Sequence, residues 1–124
     1  MEAKAEKVLY ICTYGGENPD KAHLPFVMAN AALAMDIQAT VVLQGNGVYL
    51  AQKGYIDHIL PGGGFPSLNE LMKSFMDLGG KLLVCVPCIK ARNIKESDLV
   101  AGAQTTAAGA LNIEAIESSA VFVY

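Results

Sequence analysis

No stretch of this sequence approaches the ~20 consecutive apolar residues needed to cross a bilayer, although 52% of its residues are hydrophobic. Nor is there a basic excess. The formal net charge is −3, and Lys and Arg never gather into a long run. Nucleic-acid binding by phosphate neutralisation is therefore not expected, and membrane-surface binding lacks a basic amphipathic helix. The opening, Met1-Glu-Ala-Lys-Ala-Glu-Lys7, has neither the apolar core nor the small-residue cleavage site of a secretory signal. That reading places the chain in the cytoplasm. Three cysteines, an odd number, are too few for a disulfide framework. In a reducing compartment a cysteine pair points instead to catalytic, redox or metal chemistry.

Other signatures are also missing. Nothing matches G-x-G-x-x-G or G-x-x-x-x-G-K-[ST], and neither a Ser/His/Asp triad nor paired catalytic carboxylates can be read from residue order. The two histidines, His23 and His58, form no ligand pattern with the cysteines. His23 reads as a solvated helix residue, and neither a metal site nor a cofactor is expected.

What is present alternates regularly. Lys7–Thr13, Ala39–Leu43 and Lys81–Val86 are short apolar runs without polar alternation, the pattern of strands buried on both faces of a parallel sheet. Between them, residues 20–35 read as a helix capped by Asp20, with Leu24, Val27/Met28, Ala31 and Met35 as its apolar positions and Pro25 near its start. Asp36 is placed to close it in a left-handed conformation. Val48–Lys53 reads as a short helix and Pro61–Pro66 as a loop. Ser67 caps a helix carrying Leu68, Leu71, Met72, Phe75 and Met76, which Gly79-Gly80 stops. Further on come a helical turn at 88–92, a short helix at 95–101, a weak strand at 103–106, an alanine-rich helix at 107–118 and a strand at 120–124. The order implies one domain over residues 1–124, a three-layer α/β/α sandwich with a five-stranded, mainly parallel sheet and right-handed crossovers.

Ligands of such sheets bind beyond the carboxyl ends of the strands. That edge would collect Thr13, Tyr14, Gly15, Gly45, Asn46 and Thr105 as pocket-lining residues, and would receive Cys85 from the end of the third strand. Cys85 opens a Cys-x-x-Cys motif with Cys88, while Lys90 and Arg92 follow closely. A thiolate is the reactive form, and its pKa falls at a helix N-terminus or beside cations. Cys85 is thus the candidate nucleophile, Lys90 and Arg92 its stabilising cations. Against this stands the habit of free Cys to be an inert core residue. Cys12, one residue inside its strand end, is read as core.

Four segments carry a family resemblance: the strand end Thr13-Tyr-Gly-Gly16, the helix Leu24–Met35, the loop Gln44-Gly-Asn-Gly-Val48, and the block Leu83-Val-Cys85-Val-Pro-Cys88-Ile-Lys-Ala-Arg92-Asn-Ile94. The chain resembles the DsrE/DsrF-like family, small sulfur-relay proteins that include the Tus-type persulfide carriers. The resemblance implies a five-stranded parallel sheet between helices, assembly into homotrimers or hexamers, and sulfane sulfur carried on Cys85. The partners would be sulfur donors and acceptors, either proteins or small sulfur species. Two departures stand out. Asn93 follows the Arg where the family often has Gly, and Cys88 is a second cysteine that the Tus-type carriers generally lack. Two rival readings remain: a dithiol redox protein using Cys85 and Cys88, and a non-catalytic module that binds a small ligand.

Overall fold

The computed structural model describes residues 5–124. The sequence reading of the charged opening falls partly on residues 1–4, outside the described residues. Five strands, β1 (Lys7–Cys12), β2 (Gln38–Leu43), β3 (Lys81–Cys85), β4 (Gln104–Thr106) and β5 (Ala120–Val123), form one parallel sheet in the order β4-β3-β2-β1-β5. Its two faces divide the core by side-chain alternation. Tyr10, Cys12, Val41, Leu43, Leu82 and Val84 face the larger cluster, beneath helices α1 (Pro19–Ala34) and α2 (Leu68–Asp77). Leu9, Val42 and Leu83 face the other side and pack against Leu111 and Ala115 of α4 (Ala108–Ile116). Helices thus cover both sides of the sheet, as the apolar strand runs require. None of the described helices is long and apolar enough to cross a membrane.

The helix α1 starts one residue earlier than expected. Asn18, not Asp20, caps it, accepting from the Lys21 amide at 3.2 Å, and Pro19 takes a first-turn position where a missing N–H costs nothing. Its buried positions also differ from the expected stripe. Ala22, Phe26, Ala29 and Ala32 are inside, whereas Ala31 and Met35 are exposed. Because α1 is apolar on nearly every side, period alone could not choose the face; the small alanines let the helix lie close to the sheet. His23 is likewise buried rather than solvated. Its Nδ1 lies 2.6 Å from the Pro19 carbonyl, which can only accept, so Nδ1 carries the proton, and the ring stacks near Phe65.

In α2 the Ser67 hydroxyl accepts from the Glu70 amide at 3.2 Å, and Leu68, Leu71, Met72 and Phe75 are buried. Asp36 adopts positive φ, 60°, the left-handed turn expected of it, and Asn93, standing where the family often has Gly, does the same at 56°. The short helix expected at 95–101 shrinks to a 3-10 turn at Glu96–Asp98. The flanking backbone is used elsewhere: Val100 N–H donates to Ala51 at 2.8 Å and Lys53 N–H to Asp98 at 2.9 Å.

At the amino end of the sheet, Glu114 of α4 receives Lys7 and Lys81, each Nζ 3.2 Å from Oε1. Burial alone would raise the carboxyl pKa, but hydrogen bonds and charge from the two lysines bring it below the usual value. A depressed folded pKa gives stability that is present above the unfolded pKa and lost as pH falls through the folded one. Stability is therefore expected to drop on acidification below the ordinary carboxylate range. Urea titrations across that range should show a shallower drop for Glu114→Gln.

Candidate functional site at the carboxyl edge of the sheet

Three loops meet where β1, β2 and β3 end. After β1 comes Thr13–Gly16; after β2 comes the 3-10 segment Gly45–Ala51; after β3 comes the short helix α3 (Val86–Ala91). The closeness of the first two is set by glycine. A Cβ on Gly47 would run into the Cys12 carbonyl, and one on Gly15 would sit 2.8 Å from the Asn46 carbonyl oxygen. Gly47→Ala must push the β2 loop off β1, and is expected to cost about 1–3 kcal/mol, read as a lowered urea midpoint.

Cys85 ends β3 and is the residue before α3, so the chain turns directly beneath its sulfur. Cys88 follows within that helix, and both sulfurs are free and part-buried. Cys88 Sγ accepts the Gly45 N–H at 3.3 Å. Gly45 holds φ +54°, a backbone state glycine adopts without steric cost. The Arg92 guanidinium closes the arrangement. Its Nη1 donates to the Cys88 carbonyl at 3.0 Å, its Nε donates to Asn46 Oδ1 at 3.1 Å, and it lies 6.0 Å from the Tyr49 ring centre. Asn46 Nδ2 in turn donates to Glu17 at 3.0 Å, and the other Glu17 oxygen accepts the Gly15 N–H at 2.8 Å.

The structure thus brings together Gly15, Gly45, Asn46, Cys85, Cys88 and Arg92. Thr13 is held differently: its N–H and hydroxyl both donate to the Tyr124 carbonyl, at 3.0 and 2.7 Å, a tie between β1 and β5. Tyr14 lies under the Lys21 ammonium. Thr105 pairs with Val84 and is exposed, while Thr106 is the residue level with Cys85. Lys90 is exposed, and the cation acting on Cys85 is Arg92. Three participants escaped the sequence reading: Glu17, Tyr49 and Tyr55, whose hydroxyl accepts the Gly16 N–H at 2.9 Å and whose ring stacks on Tyr49. The one signal for Glu17 was an acid directly after two glycines in a strand-end loop.

The electrostatics correct one expectation. The Cys85 thiol pKa is raised, not lowered. Burial contributes most and the Cys88 side chain adds to it; the Cys88 amide and the Arg92 charge pull the other way without prevailing. Cys12 is pushed further, to about 11, chiefly by burial. A backbone hydrogen bond at Tyr14 pulls the other way without prevailing, and the Glu17 charge adds to the rise; the sulfur lies 3.4 and 3.6 Å from the carbonyls of Tyr14 and Lys21. Native alkylation near neutral pH should leave Cys12 unmodified until the protein unfolds, as peptide mass mapping can check.

A cavity of about 430 Å³ opens beside the first loop, lined by Gly16, Pro19, Tyr55, His58, Ile59 and Leu60. Another, of about 440 Å³, lies at the opposite, amino end of the sheet against Lys7, Gln38 and Lys81. Neither has the two rim cysteines in its wall.

Residues 6–124 match the model of the DsrE/DsrF-like family. The chain belongs to that family. Among relatives of known sequence, MJ0989 of Methanocaldococcus jannaschii is 35% identical over 98 residues, covering 79% of this chain and 82% of the relative. MJ0760 of the same organism is 35% identical over 107 residues, covering 82% of this chain, which spans only 38% of that longer protein. Two solved structures carry the same DsrE-like fold. The ychN protein of E. coli superposes with TM-score 0.73 at 13% identity, covering 98% of this chain and 100% of its own. MTH1491 of Methanobacterium thermoautotrophicum superposes with TM-score 0.69 at 13% identity, covering 94% and 97% respectively. At that identity the likeness speaks for architecture alone.

Proposed function

We propose that this DsrE/DsrF-like protein relays sulfur, holding sulfane sulfur as a persulfide on Cys85. One observation carries the reading: a part-buried strand-end sulfur sits beside a second cysteine, with a guanidinium fixed at the same rim by three partners. The Cys85 thiolate attacks the terminal sulfur of a donor R–S–S⁻. A new sulfur–sulfur bond forms on Cys85, the donor's own breaks, and R–S⁻ departs. The product, Cys85–S–S⁻, is an anion that Arg92 stabilises, and it passes its outer sulfur to an acceptor thiol by the same exchange. A thiolate chemistry of this kind suits a reducing, cytoplasmic setting, with donors and acceptors that are proteins or small sulfur species.

Self-association into a trimer or hexamer is part of the proposal. Ile113 and Ile116 of α4, and Val121 and Val123, which β5 turns toward the α4 face of the sheet, are exposed apolar side chains that a second copy would cover.

To test the relay, the reduced protein is incubated with a persulfide donor and its intact mass measured. An increment of one sulfur, removed again on adding an acceptor thiol, is expected. No increment with any donor would end the reading. The contact between the Cys85 and Cys88 side chains also favours a second reading, reversible dithiol oxidation without sulfur carriage. That reading predicts the loss of two hydrogen atoms, their electrons passing to an added mild oxidant, and no sulfur increment.

A further inference from the structure

We propose that Glu17 and Asn46 are positioning residues of the sulfur site: Glu17 sets the Asn46 amide, and the amide aims the Arg92 guanidinium at the rim where Cys85 ends β3. The assignment rests on the relay reading above. The chemistry of the three groups fixes their order. A carboxylate only accepts and a guanidinium only donates, whereas a primary amide does both. Asn46 Oδ1 accepts from Arg92 Nε at 3.1 Å, and Asn46 Nδ2 donates to Glu17 Oε2 at 3.0 Å. An amide turned over would set donor against donor and acceptor against acceptor, so Glu17 decides which way Asn46 faces.

Glu17 is itself held, because its other oxygen accepts the Gly15 N–H at 2.8 Å. The bare Gly15 permits this. A Cβ there would lie 2.8 Å from the Asn46 carbonyl oxygen and 3.1 Å from Glu17 Oε1, pressing on both positioning residues at once.

The amide spacer also preserves charge. A carboxylate at position 46 would pair with Arg92 directly and neutralise it. Among the described residues no carboxylate forms an ion pair with Arg92, and Glu17 reaches it only through Asn46. The other ties of the guanidinium are to neutral groups, the Cys88 carbonyl at 3.0 Å and the Tyr49 ring at 6.0 Å. Its charge is therefore kept for an anion at the rim, and it already acts on Cys85, favouring the thiolate against burial. The relay makes a persulfide anion on that same residue. A cation fixed beforehand costs no reorganisation when this charge develops, which is what the Glu17–Asn46 pair supplies.

The test is a double-mutant cycle with two readouts. Glu17 and Asn46 are exposed, and Asn46 does not hold a positive φ, so alanine at either site leaves the fold intact, as melting curves can verify. First, the rate of Cys85 alkylation by iodoacetamide is followed across pH, the label being located by fragment mass. Glu17→Ala and Asn46→Ala should each move the Cys85 profile to higher pH, toward that of Arg92→Gln. For Glu17→Ala the direction is decisive, since removing a negative charge by itself would ease ionisation and move the profile down. Second, sulfur loading of Cys85 from a persulfide donor is timed. Each alanine variant should load roughly tenfold slower, and Arg92→Gln about a hundredfold slower. Beside Arg92→Gln, neither alanine should slow loading or raise the profile further. Unshifted profiles with wild-type loading, or losses that persist in full beside Arg92→Gln, would overturn the assignment. If the wild type takes up no sulfur, the relay reading falls, and the Cys85 profiles still decide whether Glu17 and Asn46 act through Arg92.

Discussion

Cys85→Ser is expected to abolish sulfur uptake, leaving at least about a hundredfold less adduct than the wild type after equal exposure to a persulfide donor. The substitution changes little except chemistry. Serine is close in size, the site is only part-buried, and the residue ends a strand whose pairing to Thr106 is made by backbone. A hydroxyl does not ionise near neutrality and cannot hold a sulfane sulfur through exchange. The neighbouring thiols do not replace it. Cys12 is sealed in the core with its pKa near 11, and Cys88 lies within α3 with its sulfur engaged by the Gly45 amide. A Cys85→Ser protein that melts like the wild type yet gains no sulfur supports the account. One that gains sulfur at the wild-type rate places the carrier elsewhere.

Phe75→Ala is expected to cost about 3–5 kcal/mol of stability, the range for truncating a buried phenylalanine. Phe75 is fully buried and meets Phe26 edge-on, ring centres 5.6 Å apart at 88°, so one contact joins α2 to α1 above the sheet. The same ring fills the space beside Gly80, where a Cβ would overlap it, and the Gly80 N–H donates to the Phe75 carbonyl at 2.8 Å. Truncation therefore opens a cavity and loosens the turn that leads into β3, the strand that presents Cys85. A domain of this size melts about 3 °C lower or more for each kcal/mol lost. Calorimetry should thus show a fall of roughly ten degrees or more, with urea giving the free energy.

The strands β1, β2 and β3 were legible because their apolar runs have no polar alternation, which only a doubly covered sheet tolerates. The Ser67 cap and the Gly79 stop were legible because their chemistry is local. The face of α1 was not. With Leu24, Val27 and Met28 competing with Ala22, Phe26 and Ala29, only the closeness of the sheet selects the smaller side chains. The short helix near residue 96 lost length to long-range pairing with Ala51 and Lys53, which no local window contains. At the site, Cys85 and Cys88 stood out through spacing and position at a strand end. Glu17 and Tyr49 did not, because their roles depend on three loops meeting. The sign of the Cys85 shift also lay beyond sequence, since burial outweighs the Arg92 charge by an amount that depends on packing.

The relay depends on which atom bears transferred sulfur. Protein loaded with a persulfide donor, capped with iodoacetamide and digested without reductant, can be sequenced by mass to locate the extra sulfur. It is expected on the peptide containing Cys85, attached at that residue. Extra sulfur confined to Cys12 or Cys88, or none at all, would contradict it.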